Sequence, residues 1–537
     1  MGVQGNSMTE PAFARDQAPS SADQGAYQHL VRGQALAAEG RLLEAVTALE
    51  DAVRDAEYQG DGAVLAKALR HLAVVRHRVQ EFESARASAA RSHRLALDLG
   101  DRSLAGHALN TLASFDIDAG AHDTARERLA EALEGCGDDG GLRGQIEQNL
   151  AVLSNMSGDY RAAMEHGERS LEAFLQAGDD EGCARALHTM GMLNADREQW
   201  DDADRFYRRS RAIAKKVGNL HLQALCLLDQ TEVLIGRRQF DDARECADAA
   251  LGVFAQLGDA SGKAAVYRFL GMIDRETGAP ALAEGHLRLS IELSTGGRHP
   301  LHEAEATREL AILYQQVGRK LEALDQLNAA HRLFGRLAAR VDRVDVARKK
   351  SLIERSFLQM VRDWGQSIES MDVYTHGHSE RVASYAHAVG QMLGLSQTDQ
   401  MTLRLGAYLH DVGKIRVPSE ILNKPGQLTA AEFAVIKHHP EWGVDLVEPT
   451  EFPWDIEPII RWHHEKLDGS GYPDGLAGER IPLNAQIICV SDVYDALNTD
   501  RSYRPANTKP VTLSIMRDHQ HWWRPDVFDA FMRTVGH

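Results

Sequence analysis

The sequence predicts an all-α protein in which a helical solenoid precedes a separate C-terminal domain. Two observations carry that expectation. A period of about 40 residues runs through the N-terminal part, and histidines beside acidic residues gather abruptly after residue 375. A single apolar helical stripe lies between the two. At 537 residues the chain also exceeds what one hydrophobic core supports. The expected divisions are a disordered leader at 1–24, a repeat array at 25–335, a connecting helix at 336–370 and a C-terminal domain at 371–537.

The leader is polar and contains no apolar core segment, so it is not read as a signal peptide; Met8 offers an alternative start. Apolar residues make up 43% and charged residues 26%, an ordinary balance for a soluble chain. No apolar run approaches the ~18 residues of a membrane span. The five cysteines, Cys136, Cys183, Cys226, Cys246 and Cys489, are odd in number and form no Cys-x-x-Cys pair. They are expected to be buried thiols in a reducing cytoplasm, not a disulfide framework or a thiolate zinc site. A net charge of −18 excludes duplex nucleic acid as a non-specific partner, because phosphate neutralisation needs a basic face.

In the array, alanine recurs at Ala45, Ala85, Ala125, Ala163, Ala203, Ala243, Ala283 and Ala323. A turn precedes it, marked by Gly40, Gly120, Gly158, Gly278 and Gly318. A second turn closes most units with Gly60-Asp61, Gly100-Asp101, Gly137-Asp138, Gly178-Asp179, Gly218-Asn219 and Gly258-Asp259. Ahead of the alanine stands a large-then-small pair, as in Leu72-Ala73, Leu112-Ala113, Leu150-Ala151, Met190-Gly191, Leu270-Gly271 and Leu310-Ala311. Small residues let two antiparallel helices approach while the large neighbour fills the groove. The pattern resembles the tetratricopeptide repeat, lengthened from its usual ~34 residues. HEAT units have a similar length, and the large–small–alanine spacing favours the tetratricopeptide alternative. About eight units fit. Such an array holds a protein, peptide or small ligand and carries no catalytic chemistry of its own.

Ile353, Phe357, Met360, Trp364 and Ile368 recur at steps of three or four and make one apolar stripe. It packs on the C-terminal domain, or also pairs with its twin in a homodimer.

Eleven of the 24 histidines fall after residue 375. His410-Asp411 follows a helical apolar run, and His463-His464-Glu465 runs into Asp468-Gly469-Ser470-Gly471-Tyr472-Pro473. His378 lies upstream, His439 between and Asp492 downstream. Imidazoles mixed with carboxylates and no thiolate suit manganese, iron or zinc. Two such cations can activate a water and steady both oxygens of an in-line phosphoryl displacement. Residues 372–537 carry 15 Lys+Arg against 22 Asp+Glu, so an anionic substrate needs metals and a few placed cations to hold it.

These residues carry a resemblance. The stretch 372–504 resembles an HD-GYP domain, the branch of the HD superfamily that degrades cyclic di-GMP. The match runs from Tyr374 through His378 to Val382, then through His410-Asp411-Val412-Gly413-Lys414-Ile415, Pro418, Lys424-Pro425-Gly426 and His439-Pro440. It continues through the histidine pair and the Gly471-Tyr472-Pro473 loop to Asp492-Val493-Tyr494-Asp495-Ala496-Leu497 and Arg501-Ser502-Tyr503-Arg504. The resemblance implies an all-α domain and metal ligands at His378, His410, Asp411, His439, His463, His464 and Asp492, with Asp411 as the bridge. It implies that Lys414 lies near the scissile phosphate, that Arg501 and Arg504 hold substrate phosphates, and that Gly471, Tyr472 and Pro473 border the substrate or contact a partner protein. His376, His387 and His438 are read as bystanders. Where some members carry a third-metal glutamate, this sequence has Tyr374, so two divalent ions are expected, iron or manganese before zinc. Ser502 replaces a frequent proline. The implied function is hydrolysis of cyclic di-GMP. The alternatives are a non-hydrolysing dinucleotide receptor or interaction scaffold, which the complete ligand set disfavours, and a hydrolase of another cyclic dinucleotide.

Overall fold

The computed structural model describes residues 24–38, 40–79, 81–296, 299–340, 344–370, 377–450, 452–500 and 505–536. Residues 1–23 of the expected leader, Tyr374, His376, Arg501, Ser502 and Arg504 lie outside them. Among the described residues there are helices and one isolated bridge, Asp468 with Ala477, and no strand. None of the helices is long and apolar enough to cross a membrane. The chain forms two compact units, Met1–Leu313 with Leu333–Lys350, and Tyr314–Arg332 with Ser351–His537.

The first unit alternates helices such as Gln24–Ala38, Leu42–Gln59, Gly62–Arg78 and Phe82–Asp98, with the same alternation continuing to Pro300–Gln316. All eight repeating alanines, including Ala323 in the second unit, are fully buried, as close helix crossings require. At Gly271 a Cβ would stand 2.6 Å from Leu287 Cγ and 3.2 Å from the Ala283 carbonyl oxygen, so the small member of the pair meets the alanine of its own unit. The second turn is built from two caps. Gly60, Gly178 and Gly218 end helices in the left-handed conformation, and Asp61, Asp179 and Asn219 then accept amide hydrogens of the next helix. After Gly137 the cap is Asp139, one residue later than the Gly-Asp pattern places it. A further repeat is missed by apolar patterning. Ser92, Ser170, Ser210 and Ser290 each donate to the carbonyl oxygen 26 residues earlier, at 2.6–2.8 Å.

At the first-turn position where five units place glycine, Glu198 and Arg238 both keep φ at 59°. A left-handed L-residue costs ~1–2 kcal/mol, part of which glycine returns as chain entropy. Glu198→Gly is therefore expected to stabilise the array by roughly 0.5–1 kcal/mol, read from urea midpoints at constant slope.

Cys136, Cys183, Cys226 and Cys489 are buried and Cys246 is half-buried, all as free thiols. Burial pushes Cys183 up to about 11 and Cys226 and Cys489 up to about 12, which keeps these three protonated near neutrality.

The second unit starts within the last expected repeat. Its Asn328 amide donates to the Thr450 carbonyl, and the His331 ring lies 5.0 Å from that of Trp454. The helix Val344–Glu369 presents its stripe inward: Phe357, Met360, Trp364 and Ile368 are all buried, and Phe357 packs edge-on against Phe452 and Trp454. These four side chains pack within the unit; the side chain of Ile353, the first member of the stripe, lies outside the described residues. The helices His378–Met392, Gln397–Leu409, Leu483–Asn498 and Pro525–Gly536 form the rest of the scaffold, with Tyr385, Tyr494 and Phe531 clustered between them.

Candidate metal centre

Every residue of the expected ligand set sits on a helix or at its end. His378 opens His378–Met392, His410 closes Gln397–Leu409, and Asp411 leads into the short helix Val412–Arg416. His439 opens His439–Val447, His463 and His464 follow Glu457–Trp462, and Asp492 lies within Leu483–Asn498. Helix ends aim side chains inward while the backbone stays paired, which suits a buried polar cluster.

The side chains converge as two groups that share one carboxylate. Asp411, His439, His463 and His464 form one, and His378, His410 and Asp411 the other, with ligand atoms of each within 4.8 Å of one another. Asp411 Oδ1 is 3.3 Å from His439 Nε2, and Oδ2 is 3.4 Å from His410 Nε2. Asp492 joins both sides, with Oδ1 3.3 Å from His378 Nε2 and Oδ2 3.8 Å from His464 Nδ1.

Partners on the outer edges of the rings settle the tautomers. His410 Nδ1 donates to the Ala407 carbonyl at 2.7 Å, His439 Nδ1 to that of Ile436 at 2.8 Å, and His463 Nδ1 to that of Ile460 at 2.9 Å. A carbonyl only accepts, so each Nε2 of a neutral ring turns a lone pair inward. His378 Nε2 lies 3.3 Å from that of His410, while His439 and His463 thereby face each other, lone pair to lone pair, across 3.2 Å. Bare lone pairs at that spacing repel unless a cation lies among them. Asp411 Oδ1 is also buried without a hydrogen-bond partner. The donor set fits divalent cations, with outer carbonyls orienting the imidazoles as metal sites require.

The electrostatics separate His378 from the other rings. Burial works against a charged His378, but Asp492 and Asp495 outweigh it and hold the ring up to about 9. Burial also opposes the Asp411 charge, yet Lys414 and the neighbouring imidazoles keep that carboxyl well below its usual range. Burial, reinforced by the surrounding histidines, depresses His464 to about 3 and holds His463 well below its usual range. The carboxylates stay charged and these two rings stay neutral, the state a metal requires.

Lys414 Nζ is 2.5 Å from Asp411 Oδ2. Tyr472 stacks near His464, ring centroids 4.6 Å apart, and Gly471 passes so close to the chain that a Cβ would stand 2.5 Å from Glu465 Cα. His438 is exposed and pairs with Glu441, and His387 bonds to Gln391; neither enters the cluster.

Several supporting residues were missed from sequence. Asp495 accepts from His378 Nδ1 at 2.7 Å and is gripped by Arg381 at 2.6 and 3.0 Å. Its place three residues after Asp492, on the same helical face, was the available signal. Glu465 is fully buried and accepts the amide hydrogens of Asp474, Gly475 and Leu476 at 2.7–3.0 Å, tying down the loop after the histidine pair. No spacing rule points to that role.

A helical unit whose histidines and aspartates close on one shared carboxylate is an HD-type centre, and the HD domain family profile matches residues 366–527. The C-terminal segment is an HD domain of the HD-GYP type, preceded by tetratricopeptide repeats, for which the family profile matches residues 148–216. Among curated proteins the chain is 34% identical over 223 residues to 3'3'-cGAMP-specific phosphodiesterase 3 of Vibrio cholerae, covering 40% of this chain and 48% of that one. It is 40% identical over 171 residues to the cyclic di-GMP phosphodiesterase response regulator RpfG of Xanthomonas campestris, covering 31% and 45%. It is 37% identical over 170 residues to a cyclic di-GMP phosphodiesterase of Pseudomonas aeruginosa, covering 32% and 41%. The chain thus spans about half the length of the curated relatives it matches or somewhat less.

Proposed function

We propose that this protein is a metal-dependent phosphodiesterase that opens a cyclic dinucleotide, cyclic di-GMP or a related ring such as 3'3'-cGAMP. The observation that carries the reading is the single Asp411 carboxylate shared by two sets of inward-facing imidazoles. In this reading His378, His410, Asp411, His439, His463, His464 and Asp492 hold two divalent ions, iron or manganese before zinc. Such a pair supplies Lewis acidity at phosphorus and an activated water. Asp411 and Asp492 keep the centre anionic enough to retain the cations, and the outer carbonyls prevent the rings from turning away. Lys414, already paired with Asp411, brings an ammonium toward the phosphate, and Tyr472 with Gly471 and Pro473 lines the approach. Hydrolysis forms one water oxygen–phosphorus bond and breaks one phosphorus–ribose oxygen bond, with a proton from the water ending on the released ribose hydroxyl, which linearises the ring. A receptor without turnover has no need for so complete a donor set.

Arg501 and Arg504 are assigned to the substrate phosphates on sequence alone. Loss of either by alanine substitution should weaken dinucleotide binding by about 1.5–3 kcal/mol, measured by calorimetry. A protein or peptide held on the array regulates or recruits the activity, the Gly471–Pro473 loop contacts a partner, and the protein works in the cytoplasm.

The deciding experiment incubates anaerobically metallated protein with cyclic di-GMP, 3'3'-cGAMP and cyclic di-AMP and follows products by chromatography. Turnover of at least one, abolished by chelation, is expected; binding without turnover of any would overturn the reading in favour of a receptor. Elemental analysis of the same preparation should give two metals per chain, since Tyr374 offers a phenol that stays neutral at pH 7. A stoichiometry of three refutes that count.

A further inference from the structure

The helix Val344–Glu369 ends in a carboxylate whose oxygens are both spent on the main chain around His378. Glu369 Oε2 accepts the Gly377 amide hydrogen at 3.0 Å, and Oε1 accepts that of Ser379. The carboxylate is buried, at 7% exposure. Gly377, with φ at 71°, immediately precedes the helix His378–Met392 and has no side chain to cap it. The first amides of that helix would otherwise be unsatisfied in a dry interior, which costs ~1–3 kcal/mol per group. A carboxylate from the preceding helix fills the role a local cap normally plays, and its charge suits a helix N-terminus.

His378 lies between the two clamped amides. Its ring is oriented by Asp495 through Nδ1, but the position of its backbone depends on Glu369. The helix that follows the repeat array therefore terminates on the main chain of one member of the metal centre. We propose that Glu369 is a positioning residue for that centre. It sets His378 and with it the cation affinity of the half formed by His378, His410 and Asp411. In the other half, the His439 and His463 rings are fixed by their own carbonyl partners. This inference rests on the metal reading given above.

The test uses full-length protein, stripped of metal and titrated with Co²⁺ against a competing chelator, with visible absorption reporting the ligand set. Wild type is expected to take up two equivalents. Glu369→Ala should bind one of them about 10–100-fold more weakly, as outer-sphere losses usually do, and hold the other within threefold, with far-ultraviolet ellipticity unchanged. Glu369→Gln retains one strong acceptor oxygen and should fall between. Two unchanged equivalents in Glu369→Ala overturn the proposal. So does equal weakening of both with loss of ellipticity, which would mark a general folding role. If wild type itself takes up no Co²⁺, the metal reading fails and this inference with it, an outcome distinct from either of the others.

Discussion

Asp411→Ala should lower kcat/KM on the preferred cyclic dinucleotide by 10³-fold or more, about 4 kcal/mol of transition-state stabilisation. Asp411 is the one side chain common to both ligand groups, and its two oxygens face imidazoles on opposite sides. Without it the cations lose their shared anion, and Lys414 loses the carboxylate that holds it 2.5 Å away. Metal content measured on the purified variant should fall below one equivalent, while the repeat array unfolds at the wild-type urea midpoint. Asp411→Asn preserves shape and one neutral oxygen and should retain part of the metal. Turnover near the wild-type rate in a metal-depleted Asp411→Ala preparation would sink the two-metal assignment.

Gly413→Ala should be nearly as damaging, although it removes no functional group. A Cβ there would stand 1.9 Å from the His439 carbonyl oxygen and 2.6 Å from the Gly443 amide nitrogen. Both obstacles are backbone, which cannot rotate aside, so the short helix Val412–Arg416 and the helix His439–Val447 must separate. That separation pulls His439 away from Asp411. Overpacking costs ~1–3 kcal/mol even where side chains can yield, so a loss of at least about 3 kcal/mol from the second unit is expected. One metal equivalent should go with it. Scanning calorimetry and elemental analysis check both, and a variant with wild-type metal content and melting would contradict the packing described.

The repeat array was legible because its cause is local and periodic. A small residue recurs wherever two helices cross, and all eight alanines read from the period are fully buried. The left-handed backbone at Glu198 and Arg238 was not legible, because nothing in those side chains favours it; the turn geometry of the array imposes it. The connecting stripe was legible as a helix face, but its two uses were not separable. Burial of Phe357 against Phe452 and Trp454 shows the packing within the second unit. The same unit takes in Tyr314–Arg332, a division that helical periodicity cannot reveal because the helix Lys320–Arg340 runs through it without a break.

By itself the sequence determined the all-α class, the repeat spacing and the chemical types gathered in the C-terminal domain. Period, turn residues and motif composition are properties of the chain taken in order. Only the tertiary structure decided which donor atoms meet, which nitrogen of each ring faces inward, and that Asp411 lies between the two histidine groups. It also brought Asp495 behind His378 from 117 residues away, and Glu369 onto the amides beside it. Such contacts depend on distances between helices far apart in the chain, and no local pattern encodes a distance.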